Sequence, residues 1–216
     1  MAELKDYKTV EDTSYVYMVV DKSKFIAVIS HVDTVDNVKQ MMGSLKKSNR
    51  DAKHIPYAYR LGADGGITKH NDDEEPGGSA GLPILEAIKH GNLTNVMIAV
   101  VRYFGGQELG KSKLTRTYGA VANAVVKHAK IYTMKYCNIY EMKVSYSDFA
   151  SLGKLLTEKG YHILEQNTND TMPLIKVAIP QDIAEKEIES IRARARAASF
   201  ITKVATGYYS FRMFAK

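Results

Sequence analysis

The chain has a single cysteine, no tryptophan and only five prolines in 216 residues. One thiol, Cys137, excludes an intramolecular disulfide and any cysteine-based zinc site, and so fits a reducing compartment. Set in the apolar-rich stretch 131–144, it reads as core packing and not as a nucleophile. Long hydrophobic runs are missing as well. Nothing approaches the ~20 apolar residues of a membrane-spanning helix, and residues 1–13 are too polar for a signal peptide. The expectation is a cytoplasmic protein with no membrane partner. Low-complexity tracts and solenoid-period repeats are absent too, which argues against disordered and repeat architectures.

What is present is ordinary globular composition, with 45% hydrophobic and 25% charged residues, in a chain long enough for one large or two small domains. The net charge of +6 permits affinity for polyanions without requiring it. Divided near Lys130, each half carries a net charge of +3, so the basic charge is no tail and only its local clustering informs.

Hydrophobic patterning predicts a hairpin of Tyr15 to Val20 and Phe25 to Val32 around Asp21-Lys22-Ser23. A helix follows, with Val35, Val38, Met41, Met42 and Leu45 at helical spacing and Asp33 or Thr34 as its cap. A second hairpin runs from His54 to Leu61 and Ile67 to Asn71, through a turn in which Gly65 and Gly66 supply positive φ. Next come a short helix from Ile84 to His90, a buried strand from Val96 to Phe104 and an amphipathic helix from Lys113 to His128. Hairpins ahead of Val96 predict a mixed, largely antiparallel sheet. Beyond residue 132 the pattern restarts with a strand at Tyr136 to Tyr146, a helix at Asp148 to Lys159, strands at Tyr161 to Asn167 and Pro173 to Ile179, a helix from Gln181 and a strand from Phe200. That order, βαββαβ, is the one of a ferredoxin-like plait. The predicted class is therefore two-domain α+β, with domains at residues 1–132 and 133–216.

Two glycine-rich loops carry the chemistry. The second, from Arg102 to Gly119, contains a phosphate-loop pattern: Gly105, four residues, then Gly110-Lys111-Ser112. In a nucleotide hydrolase such a loop turns successive amides on an anion, with the lysine on the phosphates and the hydroxyl on magnesium. The predicted context is wrong for it, since phosphate-loop domains need a parallel, crossover-linked sheet. The first loop carries Asp72, Asp73, Glu74 and Glu75, then Pro76-Gly77-Gly78-Ser79-Ala80-Gly81. Clustered carboxylates suit a hard cation, but at a helix start they serve more often as caps, so no metal ligand is assigned.

The basic cluster is more telling. Lys111, Lys113 and Arg116 open a helix, with Arg102 and Tyr103 at the other end of the loop. Cations at a helix N-terminus oppose the macrodipole, a local cost that an anionic partner reverses. Arg192, Arg194 and Arg196, near a helix C-terminus, need no such partner. His54 and His70 could pair as acid and base on neighbouring strands, but isolated strand histidines are usually structural. No catalytic residue is assigned.

The blocks HIPYAYRLG at 54–62, DDEEPGGSAGLPIL at 72–85 and TNVMIAVVRYFGGQELGKSKLTRTYGAV at 94–121 together resemble the YigZ/IMPACT family. The resemblance implies a ribosomal-protein-type βαβ domain followed by one like the last domain of elongation factor G, and it points to RNA or a ribosome-associated protein as partner. Eukaryotic members of that family regulate a starvation-responsive translation-initiation kinase. Glu74, Gly77 and Leu82 replace the family's Gly, Ser and Arg, and Ser112-Lys113 replace Gly-Gly. The phosphate-loop match is thus a local substitution inside another motif. The expected function is a non-catalytic, translation-linked regulator without a cofactor. It binds through Arg102, Tyr103, Gly105, Gly106, Lys111, Ser112, Lys113 and Arg116, with Asp72, Asp73, Glu75, Gly78, Ser79 and Gly81 as a secondary loop. Either glycine-rich loop is a place for phosphate or sulfate. The alternative is a phosphate-binding enzyme, an NTPase on residues 105–112 or a metal-dependent hydrolase on the 72–75 carboxylates. Nothing in the sequence sets an oligomeric state.

Overall fold

The computed structural model describes residues 6–168, 172–194 and 200–211. They divide into two compact units, one of residues 7–132 and one running from Thr133 with Asp6 added. The first unit is built on a five-stranded sheet in the order β2 (Ser14–Val20), β3 (Ser23–His31), β6 (Val96–Tyr103), β4 (Tyr57–Leu61) and β5 (Ile67–Asn71). Every pairing in it is antiparallel, as the two hairpins predict. A short β1 (Tyr7–Val10) places Val10 in the core of this unit.

The β2–β3 turn holds only Asp21 and Lys22, both at positive φ (45° and 62°), the twist that a two-residue hairpin loop favours. Central β6 is buried along its whole length except at Tyr103, so Val96 to Val101 read as an unbroken apolar run instead of an alternation. One face of the sheet packs against α2 (Gly81–His90) and α3 (Lys111–His128), burying Phe25, Ile98, Val100, Tyr118 and Val121. The other face buries Val38, Met42, Tyr59, Met97 and Val101, with Val38 and Met42 supplied by α1 (Val35–Ser48). Thr34 caps α1 in a reciprocal capping box with Asn37.

Both helices beside the glycine-rich loops start earlier than hydrophobic spacing suggests, α2 at Gly81 and α3 at Lys111. Their first turns are polar or glycine-bearing and so invisible to an apolar periodicity. The strand expected at Tyr136 to Tyr146 is shifted: β7 runs Ile131–Lys143, and Tyr146 instead opens α4 (Tyr146–Glu158), which Ser145 caps.

In the second unit α4 is followed by β8 (His162–Asn167), β9 (Leu174–Pro180), α5 (Ala184–Arg194) and β10 (Phe200–Phe211). Its strands lie in the order β10, β7, β9, β8, all antiparallel. Leu152, Leu156, Ile175, Ile179 and Ile188 fill its core. Cys137 is buried here, and desolvation, with Asp6 adding, pushes its thiol up to about 12, so it stays protonated and unreactive at neutral pH. Arg196 lies outside the described residues.

Candidate functional site

Both glycine-rich loops belong to the first unit. The first joins β5 to α2, the second β6 to α3.

In the first loop Asp72 Oδ2 accepts the N–H of Gly78 at 2.9 Å, and its Oδ1 accepts those of Ala80 (3.0 Å) and Gly81 (2.8 Å). The N-cap of α2, Ala80, has no side chain able to do this, so Asp72 caps the helix from eight residues upstream. Partial burial opposes its ionisation, but the three N–H groups outweigh that and hold the carboxyl below its ordinary range. Gly81 is required by contact, since a Cβ there would stand 2.8 Å from the backbone of Asn71.

A folded-state pKa below the unfolded one contributes stability that is complete above the unfolded value of 3.8 and is lost as pH falls through the lower folded value. Asp72→Ala is accordingly expected to cost about 1 to 2 kcal/mol at neutral pH. The difference should shrink below pH 3.8, as read from urea unfolding midpoints along a pH series. An undiminished difference in acid would mean that the ionised carboxylate is not the cap.

Asp73 and Glu75 are equally committed. Asp73 Oδ2 accepts the N–H of Ile55 at 2.7 Å, and its backbone carbonyl accepts from His54 Nδ1 at 2.7 Å. Glu75 is buried and accepts from Arg102 at 2.5 Å and from the Tyr118 hydroxyl at 2.7 Å. Burial, reinforced by Glu75, drives the Tyr118 phenol far above its ordinary range, so it remains a donor. Among the described residues no group of three or more His, Cys, Asp or Glu is arranged to hold a metal, and no hydrogen bond joins His54 to His70. The carboxylates that make a metal-dependent hydrolase conceivable in sequence are thus occupied with amides, an arginine and a phenol. Ser79 is buried with its Oγ unpartnered, and Gly78 takes positive φ (74°) with open space around it.

The second loop separates residues that sequence groups together. Arg102 and Tyr103 are adjacent on a strand and so face opposite sides of the sheet. Arg102 points to the α2 and α3 side, 4% exposed, whereas Tyr103 packs on the α1 side and donates to Asn49 at 2.8 Å. Arg102 thus lies on the side of α3 but is buried, and Tyr103 lies on the opposite side, so the five residues do not form the one exposed face expected of them. Gly105 is pressed against the β2–β3 turn and its N–H donates to Ser23 Oγ at 3.1 Å. Gly106 and Gly110 take positive φ (87° and 70°) in open space. Lys113 is paired with Asp21 of the β2–β3 turn. What remains exposed at the start of α3 is Lys111, Ser112 and Arg116. No side chain caps this helix and its first turn holds no acid.

Sequence reasoning missed Lys53 and Phe104. The ammonium of Lys53 lies 4.7 Å from the centre of the Phe104 ring, over which the Arg102 guanidinium also stands at 5.8 Å. The aromatic at 104 reads as the strand's last apolar residue, and only its exposure in the fold marks it as a surface for cations.

Among the described residues no helix is long and apolar enough to cross a membrane. The Impact N-terminal domain model matches residues 21–126, a span containing both loops. IMPACT family member YvyE of Bacillus subtilis is 35% identical over 155 residues, covering 72% of this chain and 70% of its own. IMPACT family member YigZ of Escherichia coli is 28% identical over 163 residues, covering 74% and 79%. A crystal structure of a hypothetical protein aligns over 94% of this chain and 99% of its own with a TM-score of 0.62 at 23% identity, a likeness of fold. With both loops inside the matched domain and a bacterial relative alike over most of both chains, this chain belongs to the IMPACT family.

Proposed function

We propose that the chain is a non-catalytic, translation-linked regulator that binds RNA or a ribosome-associated partner through the start of α3. The observation that carries this reading is an exposed, uncapped helix N-terminus with Lys111 and Arg116 on its first turns and no acid within its own first turn. Stability alone disfavours that arrangement, because unsatisfied N–H groups and cations repel at the same helix end. A phosphate brought to the site satisfies both at once. IMPACT membership supports the link to translation. Two further features favour binding over hydrolysis. The strand before the phosphate-loop pattern has antiparallel neighbours on both sides, and the Asp72, Asp73 and Glu75 carboxylates of the first loop are already engaged.

The test is the salt dependence of single-stranded RNA binding by fluorescence anisotropy. Four phosphate contacts, as sequence alone suggests, give a log–log slope of roughly −3 to −4. With Arg102 buried and Lys113 paired, Lys111 and Arg116 supply about two contacts and a slope of roughly −1.4 to −1.8. Replacing both by alanine should bring the slope near zero at unchanged thermal stability, while Arg192→Ala on α5 leaves it alone. An unchanged slope in the double variant would place the RNA elsewhere.

A further inference from the structure

A cavity of about 250 Å³ opens where the two glycine-rich loops meet the end of β6, lined among others by Lys53, Arg102, Phe104, Gly110 and Leu114. Three features at this cavity offer donors or positive charge without an acceptor. The Arg102 side chain is only 5% exposed; its Nη1 is held by Glu75, yet its Nε has no hydrogen-bond partner. Gly110 and Leu114 bring the first turn of α3 to the cavity, and that turn is uncapped. Lys53 is exposed and rests on the Phe104 ring. A buried guanidinium nitrogen without an acceptor is uncommon in a folded protein, and here it coincides with a helix end that lacks its anion.

We propose that this cavity, where the orphaned Nε of Arg102, the uncapped first turn of α3 and Lys53 come together, binds the phosphate of a monoester. The acidic residues around it limit the ligand to one such group. Glu75 is spent on Arg102 and Tyr118, but Glu74 and Glu108 also line the cavity and are exposed. They repel a chain of phosphates crossing the mouth more than a single phosphate seated below it. The ligand is therefore a terminal phosphate, carried by an RNA end or by a small phosphate ester. This rests on the reading of the α3 start as an anion-binding surface, but phosphate and RNA binding are measured separately, so either can fail alone.

The experiment follows thermal unfolding of the full chain in sodium phosphate against sodium chloride of equal ionic strength. Phosphate should raise Tm on the order of 10 °C at ~100-fold excess over its Kd. Ser112→Asp sets a carboxylate on the same first-turn N–H groups. It should match or exceed the wild-type Tm without phosphate and lose the phosphate response. Glu108→Gln, an exposed change outside the core, should tighten phosphate binding about 2- to 5-fold. A hexanucleotide bearing a 5′-phosphate that binds at least tenfold tighter than its 5′-hydroxyl counterpart assigns the ligand to an RNA end. Equal binding of the two, with the phosphate response intact, assigns it to a small ester. No response to phosphate, or an equal response in wild type and Ser112→Asp, overturns the proposal.

Discussion

Arg102→Met should lower the unfolding free energy by about 3 to 5 kcal/mol, because it leaves the Glu75 carboxylate buried without its counter-charge. Glu75 and Arg102 are 2% and 5% exposed in their side chains and meet at 2.5 Å, so water cannot replace the lost partner. The Tyr118 hydroxyl, 2.7 Å from the same carboxylate oxygen, remains as a single neutral donor. Tyr118→Phe alone should cost only about 1 kcal/mol, the net worth of one hydrogen bond. Replacing the whole group, as Arg102→Met, Glu75→Leu and Tyr118→Phe together, removes the charges and the orphaned hydroxyl at once. That variant should return to within about 2 kcal/mol of wild type, since a buried ion pair is roughly balanced by apolar contacts of similar volume. Urea unfolding of the four proteins checks the pattern. If the single Arg102 variant is as stable as the triple one, the ion pair does not hold the two loops together, and Arg102 is free for another role.

How much of this was legible in the sequence depended on whether a residue's task was local. The α1 cap at Thr34 and the hairpin at Asp21-Lys22 involve neighbours a few residues apart, and residue types at those spacings announce them. The antiparallel setting of β6 followed from the hairpins before it. Long-range pairing gave no such signal. Lys113 with Asp21 and Arg102 with Glu75 are 92 and 27 residues apart in sequence, and no periodicity reports either contact. Placing Tyr103 on one face with Arg102 and the α3 cations overlooked the two-residue alternation of a strand, which sends neighbours to opposite faces. Of the carboxylate run, Asp72 was read better, as a cap for α2, because Gly78, Ala80 and Gly81 supply amides without side chains to cover them. Glu74 shows what the family pattern encodes physically: it stands at φ 68°, a conformation glycine adopts at no steric cost, at the position where the resembling pattern has Gly.

Gly105→Ala should be the most damaging glycine substitution in the second loop, by roughly 3 kcal/mol or more, although it adds only a methyl group. A Cβ at Gly105 would stand 2.2 Å from the carbonyl carbon of Lys22 and 2.4 Å from the Ser23 nitrogen. Those atoms are backbone of the β2–β3 turn, which cannot yield as a side-chain end would. Gly106→Ala is the control: nothing lies within 4 Å of its added carbon, but φ is +87°, so the cost is conformational and about 1 to 2 kcal/mol. The turn displaced in Gly105→Ala also carries Asp21, whose carboxylate pairs with Lys113. Pushing the turn away frees that ammonium at the start of α3. At a temperature where the variant is still folded, its RNA-binding slope should therefore steepen by about 0.7 to 0.9, one phosphate contact, while Gly106→Ala leaves the slope as in wild type. Loss of stability without a steeper slope would separate the packing role of Gly105 from the electrostatics of the helix start. A Gly105→Ala protein as stable as wild type would show that the loop and the turn are not in contact.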